Sequence, residues 1–425
     1  MKITLRHVYV LTFILSGAAS NLQAATFGSY DPRSLAMGGT GVSHANIDHA
    51  AYFNPALLSV AQDDDDYSLL IPSLGVRVYD PDDLLEAVEA HQDGNFETKM
   101  SDSITAFEAS PSITNAQDIA GNAQRLKDSY DSISGKKLDA ELHAAVGMAV
   151  PGKGLGMAVT ASGRIMGGVV LNVSEIDRTM AQQYIDAAND YAADGAVNGS
   201  YPLAHDGSKF RSIEGRLTST ATVRGVKIIE GGLSLSHEFE SLDNWSIGIT
   251  PKTVQVATYD YEVAVENSEL DEDAGTLDYD DQNIDIGLAK RISEGWKVGL
   301  VVKNAIKKEY KTVLGNNISL EPTIRAGISH HTNWTTVALD VDLTENDRIG
   351  LTGEKTQYAA IGMEFDISLI QLRVGARHNL SAESDREANI LSAGVGLYIV
   401  GFHLDVGVAK NDDEAAAALQ LGFQF

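Results

Sequence analysis

Between Trp334 and the C-terminal Phe425 the chain alternates apolar and polar residues run after run. Val337, Leu339, Val341 and Leu343 share one side of the first run, against Thr336, Ala338, Asp340 and Asp342. The next run sets Ala359, Ile361, Met363, Phe365 and Ile367 against Tyr358, Ala360, Gly362, Glu364 and Asp366. Leu372, Val374 and Ala376 oppose Gln371, Arg373, Gly375 and Arg377, and the runs 391–399, 402–408 and 419–425 repeat the pattern. A period of two predicts β-strands, each with one apolar face.

Upstream, the same pattern predicts strands over 67–79, 142–150, 155–173, 212–240, 245–265, 282–291, 296–304 and 321–331. Gly163 and Gly167-Gly168 suggest a bulge or kink inside one of them. Residues 81–138 and 175–191 have helical composition instead, and 201–209 read as irregular. The total is about 14 strands. The links 151–154, 241–244, 292–295, 332–333, 368–369 and 400–401 are short. Those between them, 80–141, 174–211, 266–281, 305–320, 344–355, 379–388 and 410–415, are long. Short and long links in alternation predict an all-β fold, a closed antiparallel transmembrane β-barrel with short turns at the periplasmic end. Helical insertions then occupy two external loops, 80–141 and 174–211. A soluble β-sandwich would need crossovers where this chain has tight turns.

In such a barrel the apolar face meets lipid. The lumen then receives Asp340, Asp342, Glu364, Asp366, Arg373 and Arg377, whose opposite signs predict ion pairs across strands. Trp245, Trp296 and Trp334 each follow a short link, the pattern of an aromatic girdle at one interface.

The first 24 residues carry Lys2 and Arg6 ahead of an apolar core, Val8 to Leu15, and end on small residues, which reads as a cleaved signal peptide. No other apolar run is long enough for a helical span. The mean hydropathy of −0.10 decides nothing, since alternating strands average to neutrality. The absence of cysteine excludes disulfides and thiol chemistry. A net charge of −27 argues against nucleic acid as a partner. Acidic runs at 63–66, 271–273, 278–281 and 412–414 fall between predicted strands and read as solvated loop charge. His44, Asp48 and His49 lie close in sequence, but there is no His-Glu-x-x-His, Gly-x-Ser-x-Gly or phosphate loop. No cofactor and no enzymatic activity are expected.

Residues 25–66 are too few for a core of their own and must pack against something larger. They hold a glycine-rich stretch, Gly38-Gly39-Thr40-Gly41, and the run Tyr52-Phe53-Asn54-Pro55-Ala56. These features ahead of a long barrel resemble the hatch of FadL-type outer-membrane transporters for hydrophobic compounds. In chain layout, and in the segments Arg33 to Gly41 and Tyr52 to Ala56, the protein resembles the TraF-like conjugal transfer proteins. The resemblance implies a 25–66 hatch in a 67–425 barrel, with Phe53, Asn54, Pro55 and Ala56 at a site for a hydrophobic ligand. It also implies a place in the outer membrane, with lipid and lipopolysaccharide around the wall. Leu421, Phe423 and the terminal Phe425 resemble the signal read by the barrel-insertion machinery. Two functions follow from the resemblance: hatch-gated passage of a hydrophobic small molecule, or a structural or assembly component of a conjugative-transfer or envelope complex that shows its external loops to a partner.

Overall fold

The computed structural model describes residues 31–60, 67–265, 275–382 and 388–424. The signal peptide, the acidic runs at 63–66 and 271–273, and Phe425 lie outside them. No described helix is long and apolar enough to cross a membrane.

The early strands are β1 (Ser68–Tyr79), β2 (Lys137–Val150), β3 (Gly156–Asn172), β4 (Thr220–Phe239), β5 (Trp245–Ala264), β6 (Thr276–Ser293) and β7 (Trp296–Lys303). A small hairpin follows, β8 (Lys308–Lys311) with β9 (Asn317–Leu320), then β10 (Thr323–His331) and β11 (Thr335–Asp342). A second pair, β12 (Asn346–Asp347) with β13 (Lys355–Thr356), precedes β14 (Tyr358–Ile367), β15 (Ile370–Asn379), β16 (Asn389–Ile399), β17 (Phe402–Lys410) and β18 (Glu414–Gln424). Leaving out the two small pairs, these strands form a closed barrel of 14, each hydrogen-bonded to its neighbour in sequence, with β18 returning to β1. Every pairing is antiparallel, so the closed ladder satisfies its own backbone groups.

Alternation sorts the faces as the sequence predicts. Leu339, Leu343, Ile361, Leu372, Val374 and Leu391 are exposed on the outside, while Ala338, Asp340, Glu364 and Arg373 are buried within. Trp296 and Trp334 are exposed, and all three tryptophans stand at or beside the start of a strand after a short turn.

Several boundaries differ. β2 begins at Lys137 rather than 142, because Lys137 to Glu141 pair with Met166 to Val170 of the long β3. β4 begins at 220 rather than 212: the amides of Thr218 and Ser219 donate to the Asp177 carboxylate at 2.8–3.0 Å instead of to a ladder. β6 starts at 276, so the acidic residues 278–281 stand on a strand and not in a loop. The register of β3 runs through Gly163, Gly167 and Gly168 without a bulge. Close approach is the reason for two of these glycines: a Cβ on Gly167 would lie 2.6 Å from the Arg224 carbonyl, and one on Gly168 would lie 2.1 Å from Asp139. The link between β17 and β18 is only 411–413, which breaks the short/long alternation there.

At the long-loop end, helices Leu84–Gly94, Phe96–Ala109, Ile113–Ile133 and Glu175–Asp194 form a cap. Its own core includes Met100, Phe107, Ile119, Leu126, Tyr184 and Phe210. Ser112 and Ser174 cap two of the helices by accepting the Asn115 and Asp177 amides. Leu84 packs on Leu138, Ala140, Val169 and Val223. By strand parity those residues face outward, so at this end the outer wall of β2–β4 meets protein rather than lipid.

Candidate functional site

Residues 31–60 sit inside the barrel at the short-turn end, as two short helices, Pro32–Ala36 and Ile47–Phe53, and a 3-10 turn, Pro55–Ser59. Nearly all of this hatch is buried; only His44, Ala45 and Asn46 are half-buried. What holds it is unusual. In β5, β7, β14, β15 and β17 an inward position is glycine with the hatch backbone pressed against it, and at Gly287 of β6 and Gly394 of β16 the Asn54 side chain and the Ala36 methyl take that place. A Cβ on Gly375 would lie 2.2 Å from the Gly38 nitrogen, and one on Gly407 would lie 2.3 Å from the Pro32 carbonyl oxygen. Gly362 would meet Met37 at 2.5 Å, Gly248 the Ala56 amide at 2.3 Å, and Gly299 the Val42 oxygen at 2.2 Å. Gly362 faces Gly375, and Gly394 faces Gly407, in adjacent strands, so these pairs leave a shallow seat in the wall. On the hatch side, Gly38 and Gly39 adopt φ values of +74° and +90°, which a side chain rarely tolerates.

Asn54 is fully buried in this joint. Its Nδ2 donates to the carbonyls of Val42 and Leu288, both at 3.0 Å, and its Oδ1 accepts the Ala56 amide at 3.1 Å. Gly287 leaves room for that amide: a Cβ there would lie 2.0 Å from Oδ1. Phe53 is fully buried with Val42, Leu70, Ala145 and Val301. Pro55 and Ala56 abut Gly248. The structure thus places Phe53, Asn54, Pro55 and Ala56 in the joint between hatch and wall.

The predicted lumen charges divide into three groups. In the first, Glu364 receives a two-pronged bond from hatch Arg33 at 2.7 and 2.8 Å and another from Arg373 at 2.6 Å. Arg373 also bonds Asp405, which accepts from His403 at 2.8 Å. His403 approaches Asp48 of the hatch at 3.4 Å, and Gln420 donates to the same carboxylate at 2.7 Å. Next along the hatch helix is His49, 3.2 Å from Asp48. Burial works against a charge on His49, but Asp48 and Asp31 outweigh it and raise the imidazole to about 8. In the second group Arg325 grips Asp342 at 2.6 and 3.0 Å and donates to the Gly39 carbonyl, while Asp340 accepts the amides of Gly41 and Val42. The third lies toward the long-loop end, where Glu414 gathers Arg77, Arg348 and Arg377. Glu414 is therefore a buried hub and not solvated loop charge. Asp366 lines a cavity beside Arg33, Glu364 and Arg373 of the first group.

That cavity, of about 340 Å³, lies beneath the hatch and is lined by hatch Arg33, His44 and Asn46 and by wall Lys297, Asp366 and Tyr398. Above the hatch the lumen is filled from the other end. Ile349 and the β8–β9 hairpin fold inward, and Asp139 accepts the Leu351 amide at 2.6 Å.

Sequence reasoning missed Arg33, His403, Gln420 and the glycine seat. A signal for the seat was present: Gly362, Gly375, Gly394 and Gly407 all fall on the polar, inward phase of the alternation.

A closed antiparallel barrel of 14 strands with a plug tied into its lumen defines a transmembrane β-barrel. The chain belongs to the family described as "F plasmid transfer operon, TraF, protein", whose pattern it matches over residues 51–342. Solved channels share the fold. A TodX monoaromatic hydrocarbon channel lacking S2 and S3 superposes with a TM-score of 0.50 at 10% identity, covering 93% of this chain and 98% of that one. The form lacking S2 gives the same TM-score and identity over 94% and 98%. The toluene transporter TbuX of Ralstonia pickettii gives 0.47 at 12% identity over 95% and 98%. No curated protein matches the chain. At 10% identity the likeness to the two TodX forms is one of fold.

Proposed function

We propose that this barrel passes a hydrophobic small molecule across the outer membrane, with the short turns and both chain ends in the periplasm. The observation that carries the reading is a transporter-type barrel with a hatch built into its lumen, on a fold shared with monoaromatic hydrocarbon channels. The hatch acts as a fixed floor. Glycine seating and the Arg33–Glu364–Arg373 bonds hold it, so a solute passes beside His44, Ala45 and Asn46, where hatch packing is loosest, into the polar cavity below. The signal peptide, the lipopolysaccharide surroundings and recognition of Leu421, Phe423 and Phe425 by the insertion machinery belong to the same proposal.

Purified protein in liposomes tests it. Entry of an apolar monoaromatic probe should exceed entry into empty liposomes, and replacing residues 31–60 by a short linker should change the rate. Entry equal to that of empty liposomes in both cases would refute passage. A second reading, an assembly component, is favoured by one observation: the loop helices form a cap with an apolar core of its own. Crosslinking from exposed cap positions in intact cells should then capture one specific protein, and capture of lipopolysaccharide alone would refute it.

A further inference from the structure

The lumen wall is not charged all the way round. On the β3–β6 side, between a lower layer of Lys252, Glu230 and Asp285 and an upper layer of Arg224 and Asp260, it carries an apolar band. Met166, Val226, Ile228, Val254 and Val256 make the band, all 4% exposed or less, with Tyr279 packed at its edge. Strand parity sends these side chains inward: Ile229 and Leu233, on the other phase of β4, are 41% and 46% exposed on the outside. The residues are mutual neighbours, Met166 opposite Val226 and Ile228 opposite Val256 in register.

What keeps this band dry is a loop. The β8–β9 hairpin, from the 304–322 connection, lays Tyr310, Ile318 and Leu320 on it, and Ile349 of the following loop closes its side. The hairpin is only four residues by four and pairs with no barrel strand. Besides this apolar packing, side-chain hydrogen bonds attach it to the wall. Thr312 and Asn316 donate to Asp260 at 2.6 and 3.0 Å, Thr258 and Tyr279 donate to the Lys311 carbonyl at 2.9 and 3.0 Å, and Lys308 bonds Asp281 at 2.5 Å. The Tyr279–Lys311 bond is exposed and the Lys308–Asp281 pair is about a quarter exposed on each side, so their net worth is small, while Thr312–Asp260 is buried. An isolated two-stranded hairpin is marginal in water, so this one depends on the wall it covers. The hatch differs, being tied by buried ion pairs and backbone contact.

We infer that the apolar band is a binding site for a hydrophobic solute, occupied in this structure by the protein's own Tyr310, Ile318 and Leu320, and that the β8–β9 hairpin is its removable cover. A ring-sized apolar molecule replaces the same buried surface when the hairpin lifts about the 304–307 and 321–322 stems. The inference rests on the channel reading and adds to it a place of binding and a moving part.

Because the chain has no cysteine, an engineered pair would supply its only thiols. The double variant Asp260→Cys/Thr312→Cys locks the hairpin when oxidised and frees it when reduced. A second variant replaces residues 308–320 by a short glycine-serine turn, and a heat-dependent gel shift confirms that each barrel is folded. Each protein, in nanodiscs, is exposed to a diazirine-bearing alkylbenzene, and the label is mapped by mass spectrometry. Label on the Met166, Val226–Ile228 and Val254–Val256 peptides should be about tenfold greater in the reduced pair and the shortened loop than in the oxidised pair, as expected when the competent state is rare. Equal labelling of locked and unlocked forms overturns the inference, whatever the liposome flux. If the peptides are labelled on release but flux stays at the level of empty liposomes, the site stands and the channel reading falls.

Discussion

Adding one methyl group to the wall tests the seat of the hatch. Gly375 lies in the middle of β15, on extended backbone that any residue can adopt, so alanine brings no backbone strain there. The new Cβ would lie 2.2 Å from the Gly38 nitrogen and 2.3 Å from the Met37 carbonyl carbon. Both are backbone atoms, so no side chain can rotate away. The hatch segment must shift by about 1.2 Å or more to restore van der Waals contact at 3.4–4 Å. Overpacking of this kind costs about 1–3 kcal/mol, and the shift also stretches the bond that the Gly38 amide donates to the Ser392 hydroxyl and the bond that this hydroxyl donates to the Ala36 carbonyl. Gly163→Ala is the control, since a Cβ there has nothing within 4 Å. Both proteins should give a heat-modifiable barrel band, but Gly375→Ala should be cut faster by protease within residues 31–60 and should unfold at lower denaturant. If the two variants behave alike, the glycine row is not what seats the hatch.

Other perturbations separate the remaining contacts. Arg373→Met leaves Asp405 and Glu364 short of a partner in a buried network and should cost roughly 3–5 kcal/mol in denaturant unfolding; a loss under about 1 kcal/mol would mean the network does not anchor the hatch. Asn54→Ala strands the Val42 and Leu288 carbonyls and should cost about 1–3 kcal/mol, seen as faster hatch proteolysis without loss of the barrel band. His49, normally near 6.5 and raised here to about 8, stabilises the folded state fully below pH 6.5 and loses that contribution as pH rises through 8. Its worth is about 2 kcal/mol, and His49→Gln should flatten the decline in stability between those pH values. Asp177→Asn weakens the bonds from Thr218 and Ser219 and should loosen the cap by about 1–3 kcal/mol, read by protease cutting near 212–219 while the barrel stays intact.

How much was legible beforehand differs between wall and interior. Strand existence, facing and count follow from the alternation because a side chain's face depends only on its place in its own strand. The ends were harder. Above the membrane, β2 and β6 are lengthened by pairing with a neighbour, and β4 is cut short by a carboxylate from a helix. The acidic residues 278–281 and Glu414 were misplaced for the same reason: an acidic cluster looks alike in a loop and on a strand until its partners are known.

The sequence by itself determined a closed barrel of 14 antiparallel strands, an apolar outer face, two helical loop insertions and a small N-terminal segment unable to stand alone. Each is a local property, set by period, turn residues or length. Only the tertiary structure decided what fills the barrel. Arg33 meets Glu364 across 331 positions of sequence, and Asn54 meets Leu288 across 234. Closure of β18 on β1 brings such pairs together, and no period along the chain encodes them. The same closure locks the Asn54 segment into the joint between hatch and wall, and leaves the apolar band on β3–β6 under a hairpin that the sequence showed only as part of a long link.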